Sequence, residues 1–325
     1  MYRIIRSLKV SALVSALIFA LVLAAGSSAI ASQLSTDART AIPRDVQQLV
    51  VIDYKAMQNS STAMDLRDRV MPPELKQFDE ALRKSGLNDN HDVDQLAFAL
   101  FRPKPDTDEI VTLGIAQGQF PVQDIVAAFK KKAVKATVFG ADRIYPMGRT
   151  GMMLCFVDQS TMIFGGLEAV KASLDARNGN VSSMLTNSTM MDSMRSVDSE
   201  PLWSILDQKG TQTMMKQLLG EAGSVADFDS VRKRLLVSYY SMDFQHGVRF
   251  DLTITTGDAF AAATVSSLLN AAVVVRKLSA SDSEKAALAD TDVSSTSGKL
   301  LVHFAASDSD FASLLKSPLF QSVVR

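Results

Sequence analysis

The chain has 325 residues, 47% of them hydrophobic and 21% charged, with 34 Lys and Arg against 35 Asp and Glu. The formal charge of −1 excludes nucleic acid as a principal partner, and the apolar fraction is that of a folded protein rather than a disordered one. The lone cysteine, Cys155, excludes an internal disulfide; it lies in the apolar run Met152–Val157 and reads as a small buried thiol.

Arg3, Arg6 and Lys9 precede an almost wholly apolar run, Val10–Ala25, and Ala29-Ile30-Ala31 follows with small residues at alternate positions. Together they predict an export signal over residues 1–31, cleaved near Ala31 to leave Ser32 first. The run is shorter than the roughly 20 residues that span hydrocarbon, which favours cleavage over an anchor. With no cysteine near its end, the segment predicts no lipid-modified N-terminus. Residues 32–47 read as a polar leader. The expected location is periplasmic or extracellular.

The next stretch, Gln48–Asp53 (QLVVID), reads as a buried strand, and Met57–Val70 as a polar connector with weak helical character. Pro72-Pro73 then opens a helix with Leu75, Phe78 and Leu82 on one face, ending before Gly86. Leu96–Phe101 and a strand carrying Val111, Leu113 and Ile115 predict an antiparallel hairpin, closed by Gly118. A helix with Val122, Ile125, Val126 and Phe129 inward follows. Arg143–Met147, Met152–Val157 and Thr161–Phe164 read as short strands, and Leu167–Ala176 and Thr189–Val197 as helices.

The pattern then returns. Leu202–Asp207 (LWSILD) answers QLVVID, and Met215 and Leu219 answer Phe78 and Leu82. Leu235–Tyr240, the strand with Phe250, Leu252 and Ile254, and the helix from Ala261 answer the unit from Leu96 to Ala133 at an offset of 139 residues. At that offset Leu268 takes the place of Phe129, and Leu269 that of Lys130, where an apolar residue predicts burial by contact between the copies. Gly298–Phe304 aligns with Gly151–Phe156, and Asp308 opens an end helix. The fold class predicted is α+β: two degenerate copies of a β-α-β-β-α-β unit, a mostly antiparallel sheet with helices packed on one side. The first unit spans residues 48–199 and the second, shortened, 200–325.

No motif commits to a chemistry. Asn88–Asp94 spaces oxygen side chains like a calcium loop but has Val93 where glycine is needed and Ala99 where the bidentate glutamate belongs. Gly165-Gly166 is too short for a dinucleotide fingerprint. Ser313-x-x-Lys316 lacks the companion elements of serine acyl enzymes. His91, His246 and His303 are scattered without metal-ligand spacing, although a Ser-His-Asp set can assemble across a fold. No catalytic, cofactor-binding or metal-ligating residue is assigned, and no cofactor is expected. Lys130, Lys131, Lys132 and Lys135 form a basic cluster suited to weak contact with anionic surfaces, and Arg232–Arg234 form another. Eight methionines between Met147 and Met194 read as core filler or as an adaptable apolar groove. The function read from the sequence is an exported, non-enzymatic module that binds a small ligand or an envelope protein in a groove between the copies. An envelope hydrolase and a structural component are the alternatives.

Overall fold

The computed structural model describes residues 33–70, 93–103, 109–147, 151–219 and 231–317. The proline-led helix over residues 72–86, most of the calcium-like loop with His91, and the turn at residues 104–108 lie outside them, as does the predicted export signal.

Twelve strands and ten α-helices are formed by the described residues, in the order α1 (Thr36–Thr40), β1 (Val46–Asp53), α2 (Tyr54–Met57), α3 (Ser61–Val70), β2 (Val93–Phe101), β3 (Val111–Gly118), α4 (Val122–Lys131), β4 (Thr137–Phe139), β5 (Asp142–Met147), β6 (Met152–Phe156), β7 (Thr161–Gly165), α5 (Leu167–Arg177), α6 (Ser188–Arg195), β8 (Leu202–Leu206), α7 (Gln208–Leu219), β9 (Leu235–Asp243), β10 (Val248–Thr256), α8 (Ala259–Ser279), α9 (Asp282–Ala287), β11 (Asp290–Thr296), β12 (Lys299–Ala306) and α10 (Asp308–Lys316). The strands make one antiparallel sheet in the order β11-β12-β10-β9-β8-β1-β2-β3-β7-β6-β5-β4. The fold is therefore mixed α+β on a large antiparallel sheet.

Counting outward from the central β1–β8 pair, the two halves use the same order: first, second and third strand, then last, then next to last. The ladders show what occupies each place. One row of facing residues runs Leu154–Phe164–Gly114–Phe98–Val50–Ser204–Tyr240–Leu252–Val302–Val293 across ten strands. About its centre, Gly114 answers Leu252 and Phe164 answers Val302. Gly114 has no side chain because the Phe164 ring lies over it: a Cβ there would fall 2.1 Å from ring carbons. In the other half Leu252 and Val302 fill the same space between them.

Three expectations need correction. β12 stands beside β10 as β7 stands beside β3, so Gly298–Phe304 answers β7 and not the Gly151–Phe156 strand. β11 and α9 precede it, and the polar sequences of both elements conceal them. Helices cover both faces of the first half, not one. Leu49, Val51, Ala97, Ala99, Leu113, Ile115 and Ile163 pack under α1, α5 and α6 on one face. Phe98, Ala116, Met162 and Phe164 pack under Ile125 and Phe129 of α4 on the other. The β-strands of this half are apolar at successive positions, as two-sided burial requires. Finally, Leu269 is buried, but within its own half, with Val265, Leu252, Ile254 and Val293; Leu268 is only half-buried. Val265 and Leu269 hold the inward phase that Ile125 and Phe129 hold in α4, so the 139-residue offset slips by one in the helix.

Candidate functional site

The row next to the one just described faces the other side of the sheet. It runs Cys155–Ile163–Ile115–Ala97–Val51–Trp203–Ser241–Asp251–His303–Asp292. From Cys155 to Trp203 every member is apolar and buried. From Ser241 onward every member is polar. Ser241 is still buried, and the change to solvated side chains, from Asp251 onward, coincides with the end of helical cover: α5 lies over β3, β6 and β7, and α6 over β8 and β9. Met190 and Met194 of α6 reach Trp203 and Val237, and beyond β9 no described helix covers this face. Strands β10 and β12 accordingly alternate, with Leu252, Ile254 and Leu300 under helices and Asp251, Thr253 and His303 toward water, the period of a sheet solvated on one side.

The open face carries an ordered set of charges. His303 Nδ1 lies 2.7 Å from Asp251 Oδ1, directly across the β10–β12 ladder. Arg249, two rows away and so on the same face, reaches Asp251 at 3.3 Å and Asp243 and Glu200 at 3.7 Å each. Its row runs Asp243–Arg249–Ala305–Asp290. Glu200, Asp243, Asp251, Asp290 and Asp292 thus surround one guanidinium and one imidazole, and the surface is net acidic. Burial pushes the Glu200 carboxyl above the ordinary carboxylate range; Asp243 and Asp251 push the same way, and Arg249 opposes them. Because Arg249 is about half exposed, with a side-chain exposure of 49%, its ion pairs orient the cluster more than they stabilise the fold. At one end, where the β9–β10 turn meets the start of α10, a cleft of about 360 Å³ is lined by Asp243, His246, Arg249, Asp290 and Ser307.

Sequence reasoning assigned nothing here. Arg249 and Asp251 lie on β10, but Asp243, His303 and Asp292 come from β9, β12 and β11; only the alternation of Phe250, Leu252 and Ile254 showed that their neighbours must point outward. Elsewhere the residues singled out from sequence stay apart. Cys155 is buried and its thiol is pushed up to about 12, chiefly by burial and then by Asp142. Gly165 takes φ +151° and its Cα hydrogen approaches the Thr112 carbonyl, where a Cβ would sit at 2.8 Å, so strand packing accounts for it. Ser313 donates to the Ser309 carbonyl at 2.9 Å on the exposed side of α10. Lys130, Lys131, Lys132 and Lys135 are all exposed around the end of α4, while Arg234 pairs with Asp258 at 2.7 Å. Of the eight methionines, Met147, Met162, Met184, Met190 and Met194 are buried in the core. The halves meet strand to strand along β1–β8 with Leu49, Val51, Trp203 and Ile205 packed together, so a ladder, not a groove, lies between them. Among the described residues no group of three or more His, Cys, Asp or Glu is placed to hold a metal ion, and no helix is long and apolar enough to cross a membrane.

No protein-family model and no curated protein matches the sequence. Among solved structures, crystal form III of TP0453 superposes with a TM-score of 0.51 at 11% identity, over 86% of this chain and 98% of that chain. Crystal forms I and IV of the same protein give TM-scores of 0.48 and 0.45 at 10% identity, over 87% and 88% of this chain and 98% of theirs. At such identity, form III shows a shared fold and nothing further.

Proposed function

We propose that this chain is an exported binding module whose docking surface is the open, acidic sheet face of its second half. The observation that supports this most directly is the row from Cys155 to Asp292, which turns from buried and apolar to solvated and charged where helical cover stops. A sheet face needs no such ordered charges merely to be wet; carboxylates on β9, β10 and β11, set in two rows with Arg249 and His303 among them, suit a partner that presents basic groups. Residues 1–31 supply the export signal in this reading, and purified envelope material should begin at Ser32.

The test is a titration with an oligolysine peptide of about ten residues, followed by amide NMR. Shifts should concentrate on β10, β12 and the Arg249 cleft, weaken with salt as exposed charge contacts do, and vanish in the Asp251→Asn, Asp290→Asn, Asp292→Asn triple variant. Binding that survives the triple variant, or shifts centred elsewhere, would reject the surface. The His303–Asp251 pair favours one second reading, a hydrolase, since it supplies two members of a nucleophile-activating set. Among the described residues no hydroxyl reaches the other ring nitrogen, and a fluorophosphonate probe that labelled the protein but not its His303→Ala variant would establish that reading instead.

A further inference from the structure

The longest helix among the described residues presents a second exposed surface, opposite in character to the acidic one and independent of it. α8 turns Ala261, Val265 and Leu269 inward. Its outer stripe, at helical spacing, is Phe260, Ala263, Ser267, Ala271, Val275 and Leu278, with Val274 alongside. Phe260 is 72% exposed, Val274 56%, Val275 62% and Leu278 78%. No position of this stripe is charged, whereas a solvated helix face ordinarily is. Four large apolar side chains on one face of one helix are more than the scattered single exposures that a monomer's surface carries without consequence.

We propose that this stripe is an interface with a second copy of the chain, the two α8 helices crossing antiparallel about a two-fold axis that passes near Leu269. A two-fold interface must be self-complementary, each residue meeting the one equally far on the other side of the axis. About position 269, Phe260 meets Leu278 of the other copy, Ala263 meets Val275, and Ser267 meets Ala271. Two crossing helices are closest at the crossing point and diverge toward their ends. This stripe is small in the middle, where backbones must approach, and large at both ends, where the gap widens.

The polar atoms in the stripe do not oppose burial. The Ser267 hydroxyl donates to the Ala263 carbonyl at 3.0 Å, that of Thr264 to the Phe260 carbonyl at 2.9 Å, and the Asn270 amide to the Val293 carbonyl at 2.9 Å. Each keeps its bond when water leaves, which removes the main penalty for covering polar groups. The same residues argue against a hydrocarbon surface as the occupant, because a lipid-facing stripe would be most apolar at its middle, where this one carries Thr264, Ser267 and Asn270. A 21-residue helix is about 30 Å long; with a strip about 10 Å wide, the contact is well below the roughly 800 Å² per partner of a standard interface. The association is accordingly weak and concentration-dependent.

Sedimentation velocity of the purified chain between about 1 and 200 µM should show the weight-average mass rising from one chain toward two. Phe260→Asp and Val275→Asp should abolish the rise, while Lys130→Asp on α4 should not. The Ser267→Cys, Ala271→Cys double variant should form a disulfide-linked dimer under mild oxidant, and a Lys130→Cys variant should not. The cross-linking arm uses outward positions and decides the matter even where an aspartate variant loses its fold. A mass of one chain at all concentrations without cross-linking would overturn the proposal. So would a dimer indifferent to both aspartates, or flotation with phosphatidylglycerol vesicles that Phe260→Asp removes.

Discussion

α4 and α8 occupy corresponding places: each follows the third strand of its half and packs on the same face of the sheet. Their inward sides are alike, with Ile125 and Phe129 in one and Val265 and Leu269 in the other. Their outward sides are not. α4 is ten residues long and shows Gln123, Asp124, Lys130 and Lys131 to water; α8 is 21 residues long and shows Phe260, Val274, Val275 and Leu278. The sheet constrains only the side it touches. The buried phase is held by packing, where a lost methylene is felt at once, and the outer side is left to whatever meets it. The same contrast recurs on the opposite face, where α5 and α6 cover the first half as well as β8 and β9 and leave β10, β12 and β11 without a described helix.

The comparison breaks most sharply at the inward positions. Phe129→Ala should cost about 3–5 kcal/mol and Leu269→Ala about 2–5 kcal/mol, the ranges for large-to-small changes in packed cores. Half-buried Leu268 should lose clearly less, and exposed Lys130→Ala should stay within about 0.5 kcal/mol of the parent. Urea unfolding of the four variants checks this; equal losses at 268 and 269 would mean that the helices do not share a phase.

The next test exchanges one half's packing for the other's. Gly114→Ala forces a Cβ into the Phe164 ring and should destabilise by about 1–3 kcal/mol, the usual cost of overpacking. Combining Gly114→Leu with Phe164→Val imports the Leu252–Val302 pair and should recover most of the stability lost by Gly114→Leu alone. No recovery would show that the two sites are not equivalent environments.

The smallest effect concerns the open face. Glu200 has its folded-state pKa raised, so the folded protein holds that proton more tightly than the unfolded chain does. The penalty from ionising it is therefore present above the folded value, falls as acidification passes through that value, and is gone below the ordinary carboxylate range. Glu200→Gln should raise the Tm slightly at pH 8 and leave it unchanged at pH 3, read by thermal unfolding across that range. An equal shift at both pH values would assign the effect to packing and not to charge.

Much of the scaffold was legible because burial writes itself as period. QLVVID and LWSILD announce β1 and β8, and Val122, Ile125 and Phe129 announce α4. β11, with Asp290, Asp292, Ser294 and Ser295, was not legible, because an edge strand facing water on one side has only Val293 to bury and so shows no alternation. α3 passed for a connector because its apolar residues in the core, Ala63 and Leu66, are few, and the contacts that hold it come from Phe311 and Leu314, about 250 residues away. The acidic face was invisible for a related reason. Its members come from Glu200 and four strands, and only the ladders bring them together.

The central pairing also sets an order of events. β1 finds one neighbour, β2, within its own half, but its other neighbour is β8; Gln48 and Ser204, bonded side chain to side chain across that ladder, are 156 residues apart. A chain that emerges from its N-terminus must present β1, with its unpaired backbone along one edge, until the second half is made. Such an edge is a template for any passing strand, and closures over so long a span are slow compared with the local hairpins β2–β3 and β9–β10. Each half can thus acquire its own hairpins early, while the seam between β1 and β8 closes last and turns two sheets into one.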